Sequence, residues 1–149
     1  MRFNAYDDIK VVTSVKPQSL TGSTAATGAV VDTLGFENAK IHAYAVTTTS
    51  NPSVATVTVK LQESADGSTN WGDALDNTGT VIGFTLNAQA ADAFNAARIE
   101  GLNLNRKRYL RVVATPAFTG GTSPAIVANA EIIFGEAQQL PVGTAVSNT

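Results

Sequence analysis

Twelve carboxylates, ten basic side chains and one histidine are the ionisable material of this 149-residue chain, which contains no cysteine. Thiolate catalysis, disulfides and Cys-ligated metals are therefore excluded. A serine or threonine nucleophile needs a neighbouring base and a third group to orient it. His42 is the sole imidazole, and it lies between Lys40 and Tyr44 in an alternating run. That pattern reads as a half-exposed strand residue, and no Gly-x-Ser-x-Gly elbow accompanies it. Paired carboxylates can perform acid/base chemistry on a sugar when one of them is kept protonated. The close pairs are Asp7 with Asp8 and Asp73 with Asp76, and both occupy polar segments suited to turns and surface. A hydrolase would use Asp73 or Asp76. Gly120-Gly121-Thr122-Ser123 lacks the lysine of a phosphate loop and reads as a flexible connection.

Two further clusters carry charge. Asp66, Ser68, Asn70 and Asp73 present oxygen groups at near-alternating positions, a set that a hard cation such as calcium uses. The spacing departs from an EF-hand, and the segment from Ser64 to Trp71 approaches an Asp-box with its glycine one place early. A turn closed by the Asp66 side chain, with Gly67 at positive φ and Trp71 packed over a sheet end, explains the same residues. The run Asn105 to Arg111 is the basic cluster, with Arg106, Lys107, Arg108 and Arg111 and only Tyr109 interleaved. Nucleic-acid grooves combine such charge with several stacking aromatics. Net charge is -2, so a solvated face or docking onto an acidic protein surface fits better.

The elements that must hold these residues are strands. Val57, Val59 and Leu61 alternate with Thr56, Thr58, Lys60 and Gln62, giving one dry and one wet face. The same pattern runs through 40–47, with Ile41, Ala43 and Ala45 on one side, and through 108–115, with Leu110 and Val112. It is longest over 125–134, where Ile126, Ala128, Ala130, Ile132 and Phe134 share a face. Shorter strands are expected at 9–15, 29–32, 81–86 and 97–100. Turn residues punctuate them at 33–35, 50–52, 66–68, 77–79 and 119–124. About eight short strands at this spacing predict an all-β antiparallel sandwich or jelly roll. The Ala-rich stretch 87–97 reads equally as one short helix or as a loop. A single domain over 1–135 is expected, with an extended N-terminal arm over about 1–28 and a C-terminal tail over 136–149.

Charged residues make up 15% of the chain against 44% hydrophobic. Globular averages are about 25% charged, so the surface is polar through Thr, Asn and Ser. Asp7 and Asp8 interrupt any apolar leader, and no run approaches the roughly 20 residues that cross a bilayer. The expectation is a soluble protein made without a Sec-type signal, with no membrane or nucleic-acid partner and no cofactor.

Several segments together carry a resemblance. They are Met1 to Lys10, Gly22 to Asp32, Leu34 to Ala39, Leu61 to Trp71 (LQESADGSTNW) and Arg108 to Val112. In style and order they resemble the decoration, or cement, proteins of tailed-bacteriophage heads, from the start of the chain to about Phe134. That resemblance implies a non-enzymatic structural role on the outer surface of the virion head, after assembly in the host cytoplasm. It implies binding to the major capsid protein, often as a homotrimer, with stabilisation of the mature head. Candidate interaction residues are Arg2, Phe3 and Tyr6 in the arm and Arg106, Lys107 and Arg111 in the basic run. The alternative is a carbohydrate-binding sandwich of a phage tail or fibre, stacking sugars on Trp71 and Tyr109.

Overall fold

β-Branched and apolar residues at every second position drive the chain into long strands whose dry faces must meet. A computed structural model describes residues 9–49, 52–89, 93–99, 102 and 106–137. It contains ten strands among the described residues: β1 (Lys10–Thr21), β2 (Ala26–Thr27), β3 (Val31–Asp32), β4 (Phe36–Thr49), β5 (Val54–Ser64), β6 (Gly72–Asp73), β7 (Gly83–Asn87), β8 (Ala93–Ile99), β9 (Tyr109–Thr119) and β10 (Ala125–Ala137). One antiparallel sheet, here sheet A, has the order β1-β10-β4-β8, and sheet B has the path β2-β9-β5-β6. β3 joins β9 at Tyr109–Leu110, just along from β2 at Val113–Ala114. β7 joins β5 at Thr56–Lys60, next to β6 at Gln62–Glu63. The ten strands thus fill eight columns.

Numbered along the chain, those columns run 1-8-3-6 in one sheet and 2-7-4-5 in the other. Nearly every connection therefore crosses between the sheets, which is the jelly-roll arrangement of two nested Greek keys. The residues assigned by alternation to the dry faces are those that meet. Ile41, Val57, Leu61, Leu110, Val112, Ile126, Ile132 and Phe134 are fully buried, and Phe36 packs on Phe134 with ring centroids 4.8 Å apart.

Two expectations are corrected. Residues 10–28 are not an arm: β1 pairs with β10 from Lys10↔Phe134 to Thr21↔Ala125, and β2 lies in sheet B. The strand expected at 9–15 continues to Thr21, and its Lys, Pro, Gln and Ser residues hid that second half because β1 is an edge, with one face wet and two register shifts. The Ala-rich stretch is neither helix nor loop over 93–99, where it forms β8 against β4. Pairing along Ala39–Ala45 outweighs the helix preference of alanine. β10 runs to Ala137, past the expected start of the tail at 136; residues 1–8 and 138–149 lie outside the described residues.

One joint locks the two sheets at the β1 bulge. Ser14, 2% exposed, accepts the Val112 amide at 3.0 Å and donates to the Ala29 carbonyl at 3.0 Å. Its own carbonyl accepts the Ala29 amide at 2.7 Å. Gly28 allows the approach, because a Cβ there would overlap Ser14 Oγ and the Val112 carbonyl.

Candidate functional site

The outward positions of sheet B form a ladder of polar side chains that answer one another. On β9, Arg111 donates from Nε and Nη2 to Gln62 Oε1 on β5 at 2.9 and 2.8 Å. Gln62 in turn donates to Asp73 Oδ1 on β6 at 3.0 Å, and Lys60 reaches Asp73 Oδ2 at 2.8 Å. The Arg111 guanidinium lies over the Trp71 ring, 4.1 Å from its centroid, a geometry favoured by the ring quadrupole. Burial against these neighbours lowers the Arg111 pKa. Two rungs further along β5, Thr58 and Thr85 hydroxyls meet at 3.3 Å.

The Asp66 segment is a self-contained turn. Asp66 Oδ1 accepts the Ser68 and Thr69 amides at 2.9 and 2.8 Å, while Oδ2 accepts the Thr69 hydroxyl. The buried Ser64 hydroxyl accepts the Gly67 amide at 3.2 Å and lies 2.6 Å from the Thr69 carbonyl. These donors, the Thr69 hydroxyl first, hold the Asp66 carboxyl far below its usual range. Gly67 has φ +73°, and a Cβ there would meet the Tyr109 ring at 3.0 Å, so this position takes glycine on both counts. Of the calcium set, Asp66 is committed to its own turn and Asp73 to Lys60 and Gln62, while Asn70 donates to Thr69 Oγ1 at 3.1 Å. A cation would have to displace those bonds, and no cluster of three His, Asp or Glu suited to a metal occurs among the described residues.

The carboxylate pair is likewise spoken for. Asp76 accepts the Thr78 and Thr80 amides at 2.8 and 2.9 Å and closes the 76–80 turn. The Thr78 hydroxyl bond lowers its pKa, and Lys60 does the same for Asp73. Both shifts run opposite to what a general acid requires.

The basic run disperses. Arg106 lies 3.7 Å from Glu63 with its side chain 6% exposed, Lys107 is exposed, and Arg111 belongs to the ladder above. Arg108 grips Asp32 through two bonds of 2.9 and 2.7 Å and lies over Tyr109. Both glycan candidates thus carry an arginine on one face, Arg111 on Trp71 and Arg108 on Tyr109. Arg2, Phe3 and Tyr6 fall outside the described residues, as do Asp7 and Asp8.

Sheet A turns a different face outward. Register places Val11, Ile133, Lys40 and Arg98 in one row across β1, β10, β4 and β8. The next rows hold Thr13, Glu131, His42 and Ala96, and then Asn129, Tyr44 and Phe94. Phe94 is 59% exposed and Val11 55%. His42 is half-buried as the alternation predicted, its ring 4.6 Å from that of Phe94, and its Nδ1 is buried without a hydrogen-bond partner. Sequence reasoning missed this face. Its signal was the alternation Phe94, Ala96, Arg98, which the small size of Ala96 and its Ala-rich surroundings obscured.

No helix among the described residues is long and apolar enough to cross a membrane. No protein-family profile matches the chain, and no curated protein is similar to it in sequence. Among solved structures, the PBSX exported protein XepA matches all of this chain at TM-score 0.50 and 14% identity. The chain spans 44% of that protein's length. Infectious bursal disease virus, Gx strain, matches 88% of the chain, over 32% of its own, at TM-score 0.43 and 12% identity. The acid-stable capsid of Helicobacter pylori bacteriophage KHP30 matches 89%, over 95% of its own, at 0.36 and 14%. At such identities the likeness to XepA is one of fold.

Proposed function

We propose that this chain is a structural protein of a tailed-phage virion that adheres to the outer surface of the head and stabilises it. The observation that carries this reading is a jelly-roll body whose sheet B face is internally paired while its sheet A face presents Phe94 and Val11 to solvent. A surface of that kind is suited to contact with another macromolecule. The segment resemblance to decoration proteins supports the same role, with the major capsid protein as partner. A capsid repeats one docking site many times, and a homotrimer would engage three contacts together through effective concentration. Purified heads lacking the protein test the proposal. Saturable occupancy at micromolar concentration is expected, with light scattering reporting a mass of three chains; failure to occupy the heads rejects it.

A further inference from the structure

Asp66–Gly67 is the single aspartyl–glycyl pair of the chain, and the sequence has no asparaginyl–glycyl pair. Such a pair is chemically labile, because glycine has no Cβ to shield its backbone nitrogen. That nitrogen can attack the neighbouring carboxyl carbon. A C–N bond forms and a C–O bond breaks, and the carboxyl hydroxyl leaves as water with the amide proton. The product is a five-membered succinimide. Water then adds at either ring carbonyl, restoring aspartate or leaving isoaspartate, whose main chain runs through the former side chain and is one methylene longer. Only water is exchanged. Asp66 is exposed, so solvent reaches the pair.

The folded turn opposes this reaction at both reacting atoms. The nucleophile is restrained because the Gly67 amide donates to Ser64 Oγ at 3.2 Å. Ser64 is itself fully buried and held 2.6 Å from the Thr69 carbonyl, so its oxygen does not swing aside. The electrophile is restrained by the Ser68 and Thr69 amides on Oδ1 and the Thr69 hydroxyl on Oδ2. Bonds of this kind favour the ionised carboxyl, and a carboxylate cannot lose water as the protonated group does. Gly67 is also fixed from the far side, where a Cβ would meet the Tyr109 ring at 3.0 Å. A main chain lengthened by one methylene does not fit between Ser64 and that ring. Tyr109 in turn lies under Arg108, which grips Asp32.

We propose that Asp66–Gly67 is a latent modification site, at which isoaspartate formation is suppressed by the Ser64 and Thr69 side chains and proceeds when the 64–69 turn opens. Opening of a surface turn is fast beside this slow chemistry, so the rate follows the population of the open turn. Isoaspartate at this position therefore records the time the turn has spent open. The inference concerns the chain itself and holds whatever the protein adheres to.

The test incubates the whole protein at neutral pH for weeks, native and in urea. Isoaspartate is then counted by enzymatic methylation of its free carboxyl and located by peptide mapping. The native chain is expected to accumulate it at position 66 about tenfold more slowly than the chain in urea, or slower still. Thr69→Val keeps the shape of an exposed side chain but removes the Oδ2 bond, and it is expected to raise the native rate several-fold. Ser64→Ala removes the acceptor of the Gly67 amide and is expected to raise it further. Because Ser64 is buried, urea unfolding of each variant gives the fraction that is globally unfolded. The native rate must exceed that fraction multiplied by the rate in urea. Equal native and urea rates overturn the proposal, as does an absence of isoaspartate at 66 in urea. So do wild-type rates in both variants, or variant rates that global unfolding accounts for in full.

Discussion

The two outer faces of this sandwich are built from strands of similar length, yet they satisfy their side chains differently. On sheet B the outward residues include Lys60, Gln62, Asp73 and Arg111, each with a partner on the adjoining strand and Trp71 laid against the last, while Val54 at the far end of β5 is exposed. On sheet A the outward residues include Val11, Phe94 and Ile133, and Lys40 faces Arg98 across the strands. The polar ladder of the first face is satisfied within one chain and contributes to its stability. The second gains by being covered. Under the proposed function, the contrast predicts that mutations on sheet B change stability and mutations on sheet A change binding.

Trp71→Ala gives the sharpest test on the stability side. It removes the ring that Arg111 stacks on, together with the apolar contact that shelters the Arg111–Gln62 bonds. A loss of about 1–2 kcal/mol is expected, from a partly desolvated cation–π contact and buried aromatic area. Calorimetry or urea unfolding measures it. An unchanged melting temperature would mean that Trp71 is free for a ligand and would return weight to glycan binding.

Acid comes next in size, and it also acts on sheet B. Asp32, Asp66, Asp73 and Asp76 are held below their usual 3.8, chiefly by bonds from Arg108, Thr69, Lys60 and Thr78 respectively. A depressed folded-state pKa contributes stability above the ordinary value and loses it as pH falls through the folded one. Urea midpoints should therefore be flat above about pH 5 and decline below pH 4. Asp66→Asn is expected to flatten part of that decline; an identical slope in the variant would show that the Asp66 turn is not a source of it.

How much of this was legible beforehand follows from what each residue answers to. Val57, Leu61, Ile126 and Phe134 alternate against polar neighbours, and because each faces a common core their burial was readable from spacing alone. Asp66-Gly67 announced its turn because the side chain bonds its own backbone locally. β1 and β8 were legible only in part, as short strands at 9–15 and 97–100. Both are edges, and their residues are chosen by a single neighbour and by solvent, so Lys16, Pro17 and Gln18 read as an arm and Ala-rich 87–97 as helix or loop. The Arg111–Gln62–Asp73 ladder was hidden for another reason. It joins β9, β5 and β6, and only the column order brings those positions side by side.

Lys60→Ala is a smaller perturbation. The Lys60–Asp73 bridge is short, but its side chains are 34% and 32% exposed. Solvent screens such a pair, so the expected change lies within about 0.5 kcal/mol. Salt should shrink it further, and a double-mutant cycle with Asp73→Ala isolates it. A coupling above about 1 kcal/mol would show the ladder to be more cooperative than its exposure suggests.

Phe94→Ser should move stability least, and binding most for so small a change in the fold. Its ring is 59% exposed and leaves little apolar area to lose. It also lies against His42, whose Nδ1 is buried without a partner. Removing the ring admits water to that nitrogen, and the relief offsets part of the lost contact. A stability change within about 0.5 kcal/mol is expected by chemical denaturation, with occupancy on heads falling at least several-fold. If Phe94→Ser unfolds the protein instead, the exposed ring is a structural cap on sheet A. If it binds heads unimpaired, the adhesive contact lies elsewhere on the molecule, and the distinction between the two faces is one of composition alone.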